Sequence, residues 1–502
     1  MGADPEHADL AAVVLVPFPA QGHVTPMLHL ARALAARGVA STVAVPDFVH
    51  RRMGSCADVA SGGVGLASIP SGIFDDGGEP PGFASIAHAM EHHMPAHLER
   101  MLTRGHAACV VVDVLASWAI PVASRCGVPA VGFWPAMLAS FRVVAAIPEL
   151  LRQRFISDSG IPILTDGFDK DQENADLRTA NNLHILPEEL QLGTKELLPW
   201  LVGCTASQEK RFAFWLQILQ RTRSLRCLLV NSFPSEAADE DSDQLHASQG
   251  LQILHVGPLS IHGLLEKVEN SPKLPGKNPS MWQADGSCMD WLDQQRPGSV
   301  IYVSFGSWVA PIGSDEISEL ALGLEATGRP FLWVLKNDPS WRAGLPAGYL
   351  ETVTGRGKVV AWAPQGGVLA HEAVGCYLTH CGWNSTLEAI QHGVRLLCYP
   401  VSGDQFINSA FIVKMWETGI RLRSTRRCDV KDGIGRIMEG DDGRRLQQKM
   451  YELRERVMAG EARFVAKRNL EAFVDGIKRD DLPFHQLAAK VYTPPSQIVV
   501  PA

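Results

Sequence analysis

The chain has 502 residues, 46% hydrophobic and 20% charged, a balance that excludes a wholly disordered chain and suits a soluble protein of two or more domains. Its 46 basic and 54 acidic side chains leave a formal net charge of −8, so a polyanion such as nucleic acid is a poor main partner. Ten cysteines without a C-x-x-C pair fit reduced thiols in the cytoplasm, and Asp4, Glu6 and Asp9 replace the basic start of a secretory signal.

Short apolar runs alternate with helical patterns from the start. Residues 11–17 (AAVVLVP) read as a buried parallel strand, followed by a loop, PFPAQGHVTP, that overlaps its end. An amphipathic helix over 27–37 (MLHLARALAAR) closes at Gly38, and the next strand spans 41–45. Further strands are expected at 109–113, 130–133, 227–230 and 252–256. The most apolar stretch, 107–151, is broken by Asp113, Arg125, Arg142 and four prolines, so it does not supply the roughly 20 apolar residues of a membrane span.

After Gly257-Pro258 the composition turns polar, and 258–287 reads as a linker. Strand–helix alternation then restarts, with strands at 300–304, 331–335, 358–361, 375–379 and 395–399. The expected architecture is two doubly wound α/β halves, 1–257 and 288–481, facing a central cleft, with a loosely ordered tail over 482–502. The last helix of the second half can pack back on the first. Ligands of such folds bind at the carboxyl ends of the strands.

The densest chemistry lies at 375–391. A strand ends at His380, a turn follows through Cys381, Gly382 and Trp383, and a helix is expected over 384–391. A helix start offers unpaired N–H groups and about half a positive charge, which suits a phosphate. Locally a second reading stands beside it: Ser385-Thr386-Leu387-Glu388 has the form of a capping box, which needs no ligand.

The wider stretch 362–405, WAPQGGVLAHEAVGCYLTHCGWNSTLEAIQHGVRLLCYPVSGDQ, resembles the signature box of plant family 1 UDP-glycosyltransferases from end to end. PFPAQGH at 17–23, VVVDVLASWA at 110–119 and VIYVSFGS at 300–307 extend the resemblance over most of the chain. It implies the GT-B fold of two Rossmann-like domains, and UDP-glucose as co-substrate with no metal or other cofactor. It also implies site roles. Trp362 would stack on uracil and Ala363 would meet its edge. Gln365 and Glu388 would hold the ribose. Ser307, His380, Gly382, Asn384 and Ser385 would surround the phosphates, while Trp383, Asp404 and Gln405 would hydrogen-bond the sugar. His23 would be the catalytic base, with Asp113 orienting it. Gln405 is the residue the family associates with glucose donors.

Phe18, Met94, Trp134, Met137, Phe141 and the region 150–215 would line an acceptor pocket, an aromatic and methionine lining that suits a small lipophilic plant metabolite. His88, His92, His93 and His97 tempt a metal reading, but Pro95 interrupts the helix that would align them, and no H-E-x-x-H order exists. The family pattern is departed from at Arg395, where proline is usual, at Pro135, and at Val401-Ser402-Gly403. No G-x-G-x-x-G follows the first strand, and neither G-x-S-x-G nor a P-loop occurs, which argues against a dehydrogenase, an α/β-hydrolase and a P-loop NTPase. A non-catalytic UDP-sugar or metabolite binder of the same fold is the alternative, and His23 with Asp113 argues against it. A monomer without a membrane span, in the cytoplasm, is expected.

Overall fold

The computed structural model describes residues 12–53, 63–75, 81–161, 163, 186–187, 190, 208–234, 250–259, 280–307, 309 and 312–479. Most of the expected linker (260–279), the tail at 482–502 and much of the expected acceptor region (164–185 and 191–207) lie outside the described residues.

The strands form two sheets. The first contains β1 (Ala12–Val16), β2 (Ala40–Pro46), β3 (Val64–Ile69), β4 (Ala107–Asp113), β5 (Ala130–Trp134), β6 (Cys227–Val230) and β7 (Gln252–His255), in the order β3-β2-β1-β4-β5-β6-β7. The second contains β8 (Val300–Ser304), β9 (Phe331–Val334), β10 (Gly357–Val360), β11 (Val374–Thr379), β12 (Arg395–Cys398) and β13 (Gly419–Arg421), in the order β10-β9-β8-β11-β12-β13. Every pairing is parallel. Central strands are covered on both faces, which is why they read as unbroken apolar runs: β8 (VIYVS) and β11 (VGCYLT) are buried throughout.

Each sheet reverses its winding once. In the first sheet the reversal falls between β1 and β4, and in the second between β8 and β11. Crevices open at such switch points beyond the carboxyl ends of the strands. The segments leaving β1, β4, β8 and β11 carry His23, Asp113, Ser307 and His380 respectively. The topology alone therefore brings these four places to two switch-point crevices, one in each sheet.

The helices used below follow in chain order. In the first half they are α1 (Gln21–Ala35), α2 (Asp47–Met53), α3 (Phe83–His92), α4 (Pro95–Arg104), α5 (Leu138–Ala145) and α6 (Gln208–Thr222). In the second half they are α7 (Gln365–Ala370), α8 (Trp383–His392), α9 (Gln405–Ala410), α10 (Gly440–Met458) and α11 (Glu461–Lys478). No helix among the described residues is long and apolar enough to cross a membrane.

Two features differ from the sequence reading. Helix α1 begins at Gln21, six residues before the expected start, and Pro26 sits inside it. Proline removes one helical hydrogen bond, to the carbonyl four residues back. Here that carbonyl, of Gly22, accepts a side-chain N–H from Asn384 instead. Strands β3 and β13 were not expected; β3 (VGLASI) is only partly apolar, β13 has three residues, and both are edge strands. At Arg395 the guanidinium donates to the carbonyls of Gly375 (3.0 Å) and Gly443 (3.0 Å), joining the start of β12 to β11 and α10.

Helix α11 belongs to the first domain by packing. Ala466, Leu470, Phe473, Val474 and Ile477 are buried in the same apolar cluster as β1, β2 and α1. Asn469 donates to the His255 carbonyl (3.0 Å) and Lys478 to the Arg37 carbonyl (2.7 Å).

Candidate active site

From the first domain, β1 leads through Pro17–Ala20 into α1, so His23 stands in the first helical turn rather than in a loop. Asp113 ends β4 and is fully buried. Its Oδ1 accepts the Leu115 N–H (2.9 Å) and its Oδ2 lies 2.8 Å from His23 Nδ1. An ionised carboxylate accepts only, so this contact places the imidazole proton on Nδ1 and leaves the Nε2 lone pair free. The His23 side chain is 23% exposed. Phe18 packs edge-on against it, with ring centroids 5.2 Å apart.

From the second domain, β11 runs into His380, Cys381 and Gly382. Cys381 has φ of 66°, a left-handed conformation at the sharp turn before α8. The His380 ring is packed so closely that a Cβ on Gly306 would come within 2.6 Å of its Nε2, and one on Gly382 within 2.4 Å. Burial pulls the His380 pKa down to about 4, with the Lys336 ammonium adding to the effect. At neutral pH His380 is therefore an uncharged hydrogen-bond partner. The nearby positive charge is Lys336, just beyond β9, whose Nζ donates to the carbonyls of Ser307 (2.9 Å) and Val309 (3.2 Å).

The N-cap of α8 is Gly382, with no side-chain capping bond. Ser385 consequently lies inside the helix, and the capping-box reading fails. Ser385 and Glu388 instead face α7. Gln365 Nε2 donates to Ser385 Oγ (3.0 Å) and Glu388 Oε2 (2.7 Å), while its Oε1 accepts from Tyr302 (3.2 Å) and Tyr377 (3.1 Å). The two tyrosine rings stack 4.7 Å apart beneath this network. Burial raises the Glu388 pKa to about 7, against the lowering effect of Gln365.

Trp362 is half-buried and Ala363 buried just before α7. Trp362 packs on Trp282 (centroids 5.7 Å apart), and the Arg52 guanidinium lies 5.8 Å over the opposing Trp282 ring. Arg52 is held by a two-bond ion pair with Asp75 (2.6 and 3.0 Å). Gln21, Arg52, Met281, Trp282 and Ser307 thus line one recess between the domains.

The three expected sugar residues differ in what they can offer. The Trp383 indole N–H is spent on the Asn231 carbonyl (2.7 Å), and its ring stacks on Phe233. Its side chain therefore bolts the two domains together, and only its main-chain N–H, at the helix start, is left for a sugar. Gln405 Oε1 accepts the N–H groups of Val401 (2.9 Å) and Ser402 (2.8 Å), leaving its amide NH₂ as donor. Asp404 is held above the usual carboxylate range by burial, opposed by the Asn408 amide and by the proximity of His23 from the first domain.

Of the expected acceptor-lining residues, only Phe18 touches His23. Met94 is 2% exposed in the first-domain core. Trp134, Met137 and Phe141 are buried in a separate cluster, where the Trp134 N–H donates to the Met137 carbonyl (2.9 Å). Beyond Phe18 the aromatic surface continues through Phe83 and Phe214, both half-buried and 5.1 Å apart. Phe83 lies 6.5 Å from Phe18. Helix α3 ends at His92 and α4 starts at Pro95; the rings of His88, His92 and His93 cluster at the surface, and no set of metal-ligating side chains converges among the described residues. Lys336, Trp282, Phe83 and Phe214 were not singled out by the sequence; a lysine at the carboxyl end of a strand and a tryptophan in a polar stretch were the available signals.

Two parallel, doubly wound domains with facing switch-point crevices have the GT-B architecture. Residues 287–441 match the family model "UDP-glucoronosyl and UDP-glucosyl transferase", and residues 9–56 match "Glycosyltransferase, N-terminal domain". The chain is 43% identical to UDP-glycosyltransferase 82A1 of Arabidopsis thaliana, over 91% of this chain and 96% of that protein. It is 33% identical to the DIMBOA UDP-glucosyltransferase BX9 of Zea mays, over 88% and 90%. Among solved structures, Os79 of O. sativa in complex with UDP superposes with a TM-score of 0.72 at 26% identity, covering 93% of this chain and 100% of that one. The chain belongs to the plant family 1 UDP-glycosyltransferases.

Proposed function

We propose that the chain is an inverting glucosyltransferase that moves glucose from UDP-glucose to a hydroxyl or carboxyl group of a small lipophilic metabolite. The observation that carries this reading is the 2.8 Å contact between His23 Nδ1 and Asp113 Oδ2 at the first switch point, opposite Asp404. Asp113 holds the proton on Nδ1, and Nε2 acts as the base. The acceptor O–H gives its proton to Nε2 as its oxygen bonds to the sugar C1. The bond from C1 to the β-phosphate oxygen breaks on the opposite face, so the anomeric centre inverts and UDP leaves with the electron pair. Base assistance of this kind contributes about 10²–10⁴-fold.

The remaining residues bind and orient. Trp362 and Ala363 take uracil, Gln365 and Glu388 the ribose, and Asp404 with the Gln405 amide the sugar hydroxyls. The free N–H groups at the start of α8, His380 and the Ser307 loop braced by Lys336 meet the leaving diphosphate. On this reading the transfer needs no divalent metal. Glucose as donor is supported by Gln405 and by the maize relative's name. Phe18, Phe83 and Phe214 support a flat, apolar acceptor.

The test is mass spectrometry of a plant-metabolite panel incubated with UDP-glucose and EDTA. An acceptor that gains one hexose, and loses that gain in His23→Ala while UDP still binds, is the expected result. Near-normal turnover in His23→Ala refutes the base, and UDP-glucose binding without any product favours a non-catalytic binder.

A further inference from the structure

The first turn of α1 is tied to more than Asp113. Gln21 Oε1 accepts the Met281 N–H (2.8 Å), in the segment that enters the second domain, while Gln21 Nε2 donates to Thr25 Oγ1 (2.6 Å) within the helix. Asn384 Nδ2, in the first turn of α8, donates to the Gly22 carbonyl (2.8 Å). His23 is the next residue. The Gly22 carbonyl is available because its helical partner four residues on is Pro26, which has no N–H. The turn that presents His23 is therefore pinned at two points to the donor side and at one point to Asp113.

We propose that Gln21 and Asn384 are positioning residues for His23, and that Pro26 makes the contact possible by freeing the carbonyl Asn384 uses. The proposal rests on the transferase reading above and adds that donor occupancy is felt at the base. A diphosphate at the start of α8 meets the same helical turn that carries Asn384. The path from there to the imidazole is one side-chain hydrogen bond and one peptide unit. A two-point hold also fixes the angle of the turn, which a single bond would leave free to rotate. A base held in this way keeps its Nε2 aimed at the acceptor hydroxyl in front of the sugar carbon rather than following motions of the first domain alone. Coupling of this kind is demonstrated by a measured response at one site to a ligand at the other.

The experiment uses the full chain labelled with ¹³Cε1-histidine, the His23 resonance being assigned with His23→Ala, and UDP as the probe. Calorimetry gives UDP affinity for each variant and shows that it is folded. Saturating UDP is expected to shift the wild-type His23 resonance. Gln21→Ala, brought to saturation at the UDP affinity that calorimetry gives for it, should lose most of that shift. Gln21→Glu, which still accepts the Met281 N–H, should keep it. Asn384→Ala should lose the shift even when saturated. If UDP binds and the wild-type His23 resonance stays still, or if it moves as far in Gln21→Ala and Asn384→Ala as in the wild type, the proposal is overturned. If the wild type fails to bind UDP, the transferase reading fails and the proposal with it.

Discussion

The ribose role proposed for Glu388 predicts donor binding that depends on pH. Burial holds its pKa near 7, and the ribose hydroxyls it is proposed to accept from are donors that favour the carboxylate. Binding then competes with protonation. If only the ionised form binds, the apparent dissociation constant scales as 1 + 10^(pKa − pH), so affinity is about tenfold weaker at pH 6 than at pH 8. The ligand to use is UDP-glucose without acceptor, because its diphosphate is a diester with no proton to lose in this range. Calorimetry at pH 6, 7 and 8 in wild type and Glu388→Gln gives the comparison. The wild type should strengthen as pH rises and Glu388→Gln should be nearly flat. A flat wild-type profile, or the same slope in both proteins, refutes the reasoning. The sign for the unliganded fold is opposite. The folded chain keeps the Glu388 proton above the ordinary value of 4.5, so this group's stabilising contribution is complete below that pH and lost as pH rises through about 7.

Three other changes have definite outcomes. Asp113→Asn should keep UDP binding but lower turnover by up to about 10⁴-fold, because an amide in that place can favour the wrong imidazole tautomer; turnover within a few-fold of wild type would contradict the orienting role. Gly306→Ala puts a Cβ 2.6 Å from His380 Nε2 at a residue with φ of +74°, so UDP binding measured by calorimetry should fall sharply, and unchanged affinity would remove His380 from the phosphate site. Arg395→Ala leaves the Gly375 and Gly443 carbonyls without their guanidinium donor and should cost about 1–3 kcal/mol in denaturant unfolding, with UDP affinity unaltered.

The sheets were legible because parallel strands covered on both faces must be apolar throughout, as at 13–16 and 300–304. Edge strands face that demand only partly, and β3 and β13 passed unnoticed. The start of α1 was hidden because Pro26 reads as a boundary. Its missing bond is offset by Asn384, 362 positions from Gly22 in the chain. Local pattern also left the helix start at 383–388 ambiguous between a capping box and a phosphate site. The placement of Gly382 as N-cap resolves the geometry in a way that composition does not. Trp383 shows the same limit: whether an indole N–H faces a sugar or a carbonyl depends on Asn231, 152 residues earlier. The acceptor surface was least legible, since buried aromatics such as Trp134 and half-open ones such as Phe214 are the same residue types in sequence.

The return of α11 to the first domain has a consequence for exchanging halves between relatives. A chimera joined only in the linker would pair one parent's first sheet with another parent's Leu470, Phe473 and Ile477, and so mismatch a core rather than a surface. The seam that respects the packing has two cuts, one before β8 and one between α10 and α11. The last helix then travels with the acceptor domain it covers, and the donor domain becomes the removable insert.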